Sequence, residues 1–204
     1  MEIRLDDPIW IASQVFAFLA LIFAIWAFQV KAKIKLLLLT GVFSTFLAVS
    51  ASLLENYTLG VLFGLAAIRN YVFMYVDMRI AKGKVVKKWI HYGLAIVFAV
   101  LTIGATIVLV YIIQVPTRGA WLEWLICATL LGLIVGNVLE GTNLMRVSFV
   151  ANRVFNIINH VYFNNIIAVV IAVSAIGSNA VYYTRMLVSW LKKRNKEEIA
   201  EEQK

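Results

Sequence analysis

Seven stretches of this chain are so long and so apolar that they read as helices crossing a lipid bilayer; they cover residues 9–29, 36–54, 58–76, 89–113, 119–139, 147–163 and 165–189. A hydrocarbon core roughly 30 Å thick takes about 20 apolar residues at about 1.5 Å each. Inside it, a backbone cut off from water must satisfy its own hydrogen bonds. Helices do so within one segment, whereas a barrel needs polar and apolar residues in alternation. Leu36–Leu39 and Ala95–Val100 are unbroken apolar runs, which excludes the barrel. Composition agrees, because 62% of the 204 residues are hydrophobic and only 15% charged, where soluble domains carry about a quarter charged. The expected fold is all-α: a polytopic membrane protein of about seven transmembrane helices.

The charges orient these helices. Lysine and arginine in short loops stay on the cytoplasmic side. They cluster at Lys31, Lys33 and Lys35, at Arg79, Lys82, Lys84, Lys87 and Lys88, at Arg146, and in a tail holding Arg185, Lys192, Lys193, Arg194, Lys196 and Lys204. The opposite loops hold only Arg4 and Arg118. With seven spans the two sets alternate if the N-terminus is outside and the C-terminus cytoplasmic. The net charge of +8 therefore belongs to membrane topology and not to nucleic-acid binding. Glu2, Asp6 and Asp7 stand where a signal peptide would be basic, so the first run is expected to remain as a helix. The lone Cys127, inside an apolar run, offers neither a disulfide nor a cysteine metal site. The residues after 191, rich in Lys and Glu, read as a solvated helix end or a disordered tail.

The two ends of the chain echo each other. Laying the third run on the seventh matches Asn56 with Asn165, Ala66 with Ala175, Asn70 with Asn179 and Val72 with Val181. The same register brings Phe46 onto Phe155 in the second and sixth runs. Trp10 also falls on Trp121, and Gln29 on Glu140, with a slightly different offset. Two parallel three-helix repeats joined by a single helix would give this pattern, since one extra crossing lets the second unit enter in the same direction. The expected organisation is 1–88 as the first unit, 89–118 as the linker helix, 119–191 as the second unit and 192–204 as the cytoplasmic tail. The alternative is chance agreement between apolar helices.

Three segments, IASQ at Ile11 with FQVKAK at Phe28, LLENYTLG at Leu53 and AAIRNYVF at Ala66, resemble bacterial inner-membrane proteins of the YgjV type. A Gln-bearing first helix, a short turn and an Arg-Asn segment recur there in this order. The close of the second half, IAVVIAVSAIGSNAVYYTRM, is similar as well. The sixth run departs, with FNIINHVYF where that family is expected to carry a Trp- and Tyr-containing pattern. The resemblance implies location in the bacterial inner membrane. Its plan is similar to that of SWEET sugar carriers and PnuC-type vitamin carriers, which implies a solute transporter at the level of fold. Unlike SWEET-like carriers, the chain has no proline inside any span, since Pro8 and Pro116 flank them.

Polar residues within spans are the candidate site, because a charge in lipid needs a partner or a watery space. Arg69 and Arg153 lie at similar depth, roughly 10 Å from the cytoplasmic ends of the third and sixth helices. They could face one space and hold an anionic or strongly hydrogen-bonding solute. Alternatively, each snorkels or pairs with Glu140 or Asp77. Ser148, Asn152, Arg153, Asn156, Asn159 and His160 fall within an arc of roughly 140° on the sixth helix, leaving Val154, Ile157, Ile158 and Val161 opposite. Such a face lines a cavity or a buried helix contact. Glu123 and His160, expected at similar depth near the outer surface, would make a proton-coupled gate, or His160 is simply hydrated. Asn70, Tyr71, Tyr75, Ser174, Ser178 and Asn179 could complete the site, unless Gly60, Gly64 and Gly177 mark these helices for close packing. His91, after a basic loop, reads as interfacial.

The leading expectation is a carrier that moves a small hydrophilic solute, such as a vitamin, nucleoside or sugar, through a polar site between two helical repeats. The substrate-binding set is Arg69, Asn70, Asn152, Arg153, Asn156, Asn159, Ser178 and Asn179. The alternative is a structural or accessory membrane subunit, and homo-oligomerisation is compatible with either. Two histidines without metal spacing, no carboxylate dyad and no Gly-rich phosphate loop speak against an enzyme, a metal or a cofactor. No lysine lies inside a span to bind retinal.

Overall fold

The computed structural model describes residues 6–30, 32–83, 87–113, 119–138 and 142–202; within its helices, the side chains of 28, 88, 136–138, 142–146, 148–149, 192–193 and 195–202 are not described. Arg4, Lys31, Lys84, Pro116, Arg118, Glu140 and Lys204, with the side chains of Lys88, Arg146, Ser148, Lys192, Lys193 and Lys196, lie outside the described residues.

All described regular structure is helical: α1 (Pro8–Gln29), α2 (Lys33–Leu53), α3 (Tyr57–Ala81), α4 (Lys88–Ile107), α5 (Ala120–Val138), α6 (Thr142–Tyr162) and α7 (Ile166–Glu202). A π-helical turn, Val108–Ile112, extends α4. By length and composition, five of them can cross a membrane: α1, α2, α3, α4 with its π turn, and α7. α5 is apolar over the shorter stretch Ala120–Val135. α6 is long enough, at 21 residues, but its polar arc keeps it from being apolar throughout, so it needs neighbours on that side. α7 runs 37 residues without a break, roughly 55 Å, which carries the charged tail on as helix.

Local chemistry explains the ends. Asp7 caps α1, its Oδ1 accepting from the amides of Ile9 and Trp10, with Pro8 at the first helical position. The connections α2–α3 and α6–α7 share one conformation. In each, a residue with positive φ, Glu55 (60°) or Asn164 (54°), turns the chain. The next amide, of Asn56 or Asn165, then reaches back to the carbonyl of Ala51 (2.9 Å) or His160 (2.8 Å). That same asparagine caps the following helix: Oδ1 of Asn56 accepts from Leu59 N, and Oδ1 of Asn165 from Ala168 N. Both turns therefore recur with every partner 109 residues further along, as from Asn56 to Asn165.

The helices close a ring in which α1 packs on α2, α2 on α3, α3 on α5, α5 on α6, α6 on α7 and α7 on α1, while α4 lies across α3 and α5. Small residues let α1 approach closely, with Ala17, Ala20, Ala24 and Ala27 almost fully buried. Phe43, Leu47, Leu59, Leu62, Phe63, Leu122, Ile126 and Ile171 fill the core between them. Gly41 leaves the space that the Tyr71 ring occupies, since a Cβ there would lie 2.7 Å from it. Gly60 is similarly crowded by Ser52, whereas Gly64 and Gly177 face open space and are not close-packing positions. At the lysine-rich end, Asp77 of α3 pairs with Lys33 of α2 (3.2 Å) and His91 of α4 (3.0 Å), tying three helix ends together.

Candidate functional site

α6 presents its polar arc inward. Asn152, Arg153, Asn156, Asn159 and His160 are all 0–1% exposed, while Val154, Ile158 and Val161 point outward. The helical period places the two sets on opposite sides, and burying the hydrophilic one keeps it from lipid.

Arg153 lies with its guanidinium carbon 4.4 Å from the centre of the Phe43 ring and 5.4 Å from that of Phe63, so α2 and α3 each supply a π face to the cation. His160 also meets Phe63, stacking near-parallel to it at 6.4 Å. The asparagines form a ladder beside it. Asn152 donates to Thr129 Oγ1 of α5 (2.8 Å) and Asn156 donates to Asn152 (2.7 Å). Asn159 donates to Glu123 Oε1 of α5 (3.3 Å) and accepts from Asn56 Nδ2 (3.1 Å). Glu123 thus meets Asn159, while His160 meets Phe63; the pairing expected of a proton gate is not a contact between these two described side chains.

Hydrogen-bonding capacity is left over in this interior. Gln14 Nε2, Thr58 Oγ1, Asn156 Oδ1, His160 Nε2 and Asn179 Oδ1 are buried and find no hydrogen-bond partner among the described residues. A buried polar atom without a partner costs about 1–3 kcal/mol. Native interiors leave few such atoms unmet unless water or a ligand answers them.

Arg69 lies in a polar node of its own helix and its neighbours. Arg69 donates from Nε (3.3 Å) and Nη2 (3.1 Å) to Asn70 Oδ1, and from Nη1 (3.3 Å) to the Leu130 carbonyl of α5. Asn70 in turn donates to Thr40 Oγ1 of α2 (3.3 Å). This node ties α2, α3 and α5 together. The described ion pairs of Asp77 go to Lys33 and His91, so Asp77 is not the anchor of Arg69. Asn179, at the position matching Asn70, instead donates to Ala175 O of its own helix (2.8 Å). Ser178 is half-buried beside it and Ser174 is exposed. Tyr71 shares a hydrogen bond with Thr45, and exposed Tyr75 accepts one from Arg79.

Several participants carry no charge and sit among apolar neighbours, so sequence reading passes over them. Phe43 and Phe63 read as ordinary core. Gln14 accepts from the Ile167 amide at the start of α7 (3.1 Å). Ser50 accepts from Asn165 Nδ2 (2.8 Å) and shares a hydrogen bond with Ser13 (3.1 Å). An asparagine directly ahead of an apolar helix is the one available signal, as a helix cap.

The family model described as a bacterial inner membrane protein, Imp-YgjV, matches residues 11–189. The chain belongs to this family. It is a multi-pass protein of the bacterial inner membrane, in agreement with its apolar helices. No curated protein and no solved structure matches it. The YgjV match spans α1 to the apolar part of α7 and so covers every residue of the site, the divergent α6 included.

Proposed function

We propose that this protein is a carrier for a small hydrophilic solute of the vitamin, nucleoside or sugar kind, working through the polar interior between helices α1–α3 and α5–α7. The carrying observation is the inward arc of α6 together with the unmet atoms Asn156 Oδ1 and His160 Nε2. Buried amides and an imidazole beside aromatic rings are chemistry suited to a neutral or weakly charged solute with several hydrogen-bonding groups. In this reading residues 1–88 and 119–191 are the two parallel units, 89–118 the joining helix, and the N-terminus faces outward. The identical turns and the ring of helix contacts support it, as does α4 lying outside that ring.

A second reading is favoured by a specific observation. Asn152, Asn156 and Asn159 each donate directly to another side chain, as they would in a bundle whose polar residues serve only to fix helix contacts. Uptake of radiolabelled hexose, nucleoside and water-soluble vitamin into proteoliposomes separates the two. The carrier reading expects uptake of at least one solute, reduced tenfold or more by Arg153→Ala and by Asn70→Ala. Equal traces for wild type and both variants support the structural subunit.

A further inference from the structure

The two turns also bind the opposite halves of the bundle to each other. Asn56 opens α3 and its Nδ2 donates to Asn159 of α6; Asn165 opens α7 and its Nδ2 donates to Ser50 of α2. Ser50 stands six residues before Asn56, and Asn159 six residues before Asn165. It is one hydrogen bond made twice, each half supplying the donor once and the acceptor once, as a two-fold relation between the halves requires. Each asparagine divides its amide between two tasks, Oδ1 capping its own helix and Nδ2 crossing to the other half. Breaking a crossing therefore leaves the cap intact. α1 reinforces the second crossing along one face: Trp10 Nε1 donates to Asn164 O (3.3 Å), Ser13 bonds Ser50, and Gln14 accepts from Ile167 N. Thr58 Oγ1 and Gln14 Nε2, both buried at this end, find no hydrogen-bond partner among the described residues.

We propose that Asn56 and Asn165 are the paired halves of a latch that closes the turn end of the bundle, released by breaking the crossings to Asn159 and Ser50 together. The latch rests on the carrier reading only in supposing that this end opens. Its reversibility follows from the geometry, because opening exchanges the two asparagine crossings, together with those of Trp10 and Gln14, for water without unwinding a helix.

The test uses full-length protein in proteoliposomes, with Cys127→Ser and the reporter Thr58→Cys, labelled by a membrane-impermeant maleimide. Ser50→Ala removes one acceptor, and Asn159→Leu removes the other at similar side-chain volume; both helix caps stay. The latch predicts that Ser50→Ala alone speeds labelling at position 58 at least tenfold, although Ser50 belongs to the other crossing, and that adding Asn159→Leu speeds it further. Labelling at the parent rate in Ser50→Ala, with an unchanged melting temperature, overturns the latch, as does a response confined to Asn159→Leu. Should Asn159→Leu fail to fold, Ser50→Ala decides alone. Solute uptake in the same vesicles separates the two claims. Uptake with parent-rate labelling removes the latch and keeps the carrier; faster labelling without uptake of any solute does the reverse.

Discussion

α2 and α6 run into the same left-handed turn and the same asparagine cap, yet they present opposite chemistry to the interior. Counted back from the turn, α2 buries Phe43, Ser44, Leu47, Ser50 and Ala51 where α6 buries Asn152, Arg153, Asn156, Asn159 and His160. α2 therefore acts as an internal control. It reaches the turn, packs between neighbours and fills its inner face with small and apolar side chains. Nothing in that task asks for three asparagines, an arginine and a histidine. Polar groups inside a membrane carry an insertion cost of a few kcal/mol for a charge, and unmet atoms add to it. α6 bears this cost while α2 avoids it, a difference that the proposed carrier function would account for.

The sharpest way to break the comparison is to exchange the chemistries. Asn156→Leu with His160→Ala gives α6 the residues of α2 at these positions, and should abolish solute uptake while the melting temperature stays level or rises, as read by thermal unfolding in detergent. The opposite exchange, Leu47→Asn, places an amide in the apolar core and should destabilise the fold by about 2–4 kcal/mol without creating transport, measured by denaturant unfolding. Arg153→Lys keeps the charge but loses the flat cation between Phe43 and Phe63, with an expected cost of about 1–2 kcal/mol. Asn165→Ala removes a cap and a crossing together, for about 1 kcal/mol, and Asn56→Ala should match it if the two turns are equivalent. The smallest effect belongs to the lysine-rich end, where Asp77→Asn should change stability by less than about 1 kcal/mol, since Lys33 is partly solvated there.

Much of the fold is legible in the sequence because the bilayer imposes it. Length and hydropathy mark seven helices, although α3 and α7 run on past the expected spans to Ala81 and Glu202 and α6 starts earlier, at Thr142. The continuation of α7 to Glu202 and the π turn at Val108–Ile112 are less legible, for neither changes the hydropathy pattern that marks a span. Helical periodicity places Asn152, Arg153, Asn156, Asn159 and His160 on one face. Their partners are another matter. Depth along a helix says nothing about rotation toward a neighbour: of the described contacts, Arg69 meets Asn70 and the Leu130 carbonyl, and Arg153, alike in depth, lies against Phe43 and Phe63. Glu123 likewise accepts from Asn159, one residue away from the histidine that depth alone suggests.

Water access along the two matched helices tests the central claim most directly. Single cysteines are placed in turn at 152, 153, 156, 159 and 160 on α6 and at 43, 44, 47, 50 and 51 on α2, in a Cys127→Ser background, and exposed in proteoliposomes to a small charged thiosulfonate. The account predicts modification along the α6 series, slowed by a transported solute, and none at 43, 44 and 47 of α2. Equal resistance of both series would contradict it and leave α6 as a helix whose polar face serves packing alone.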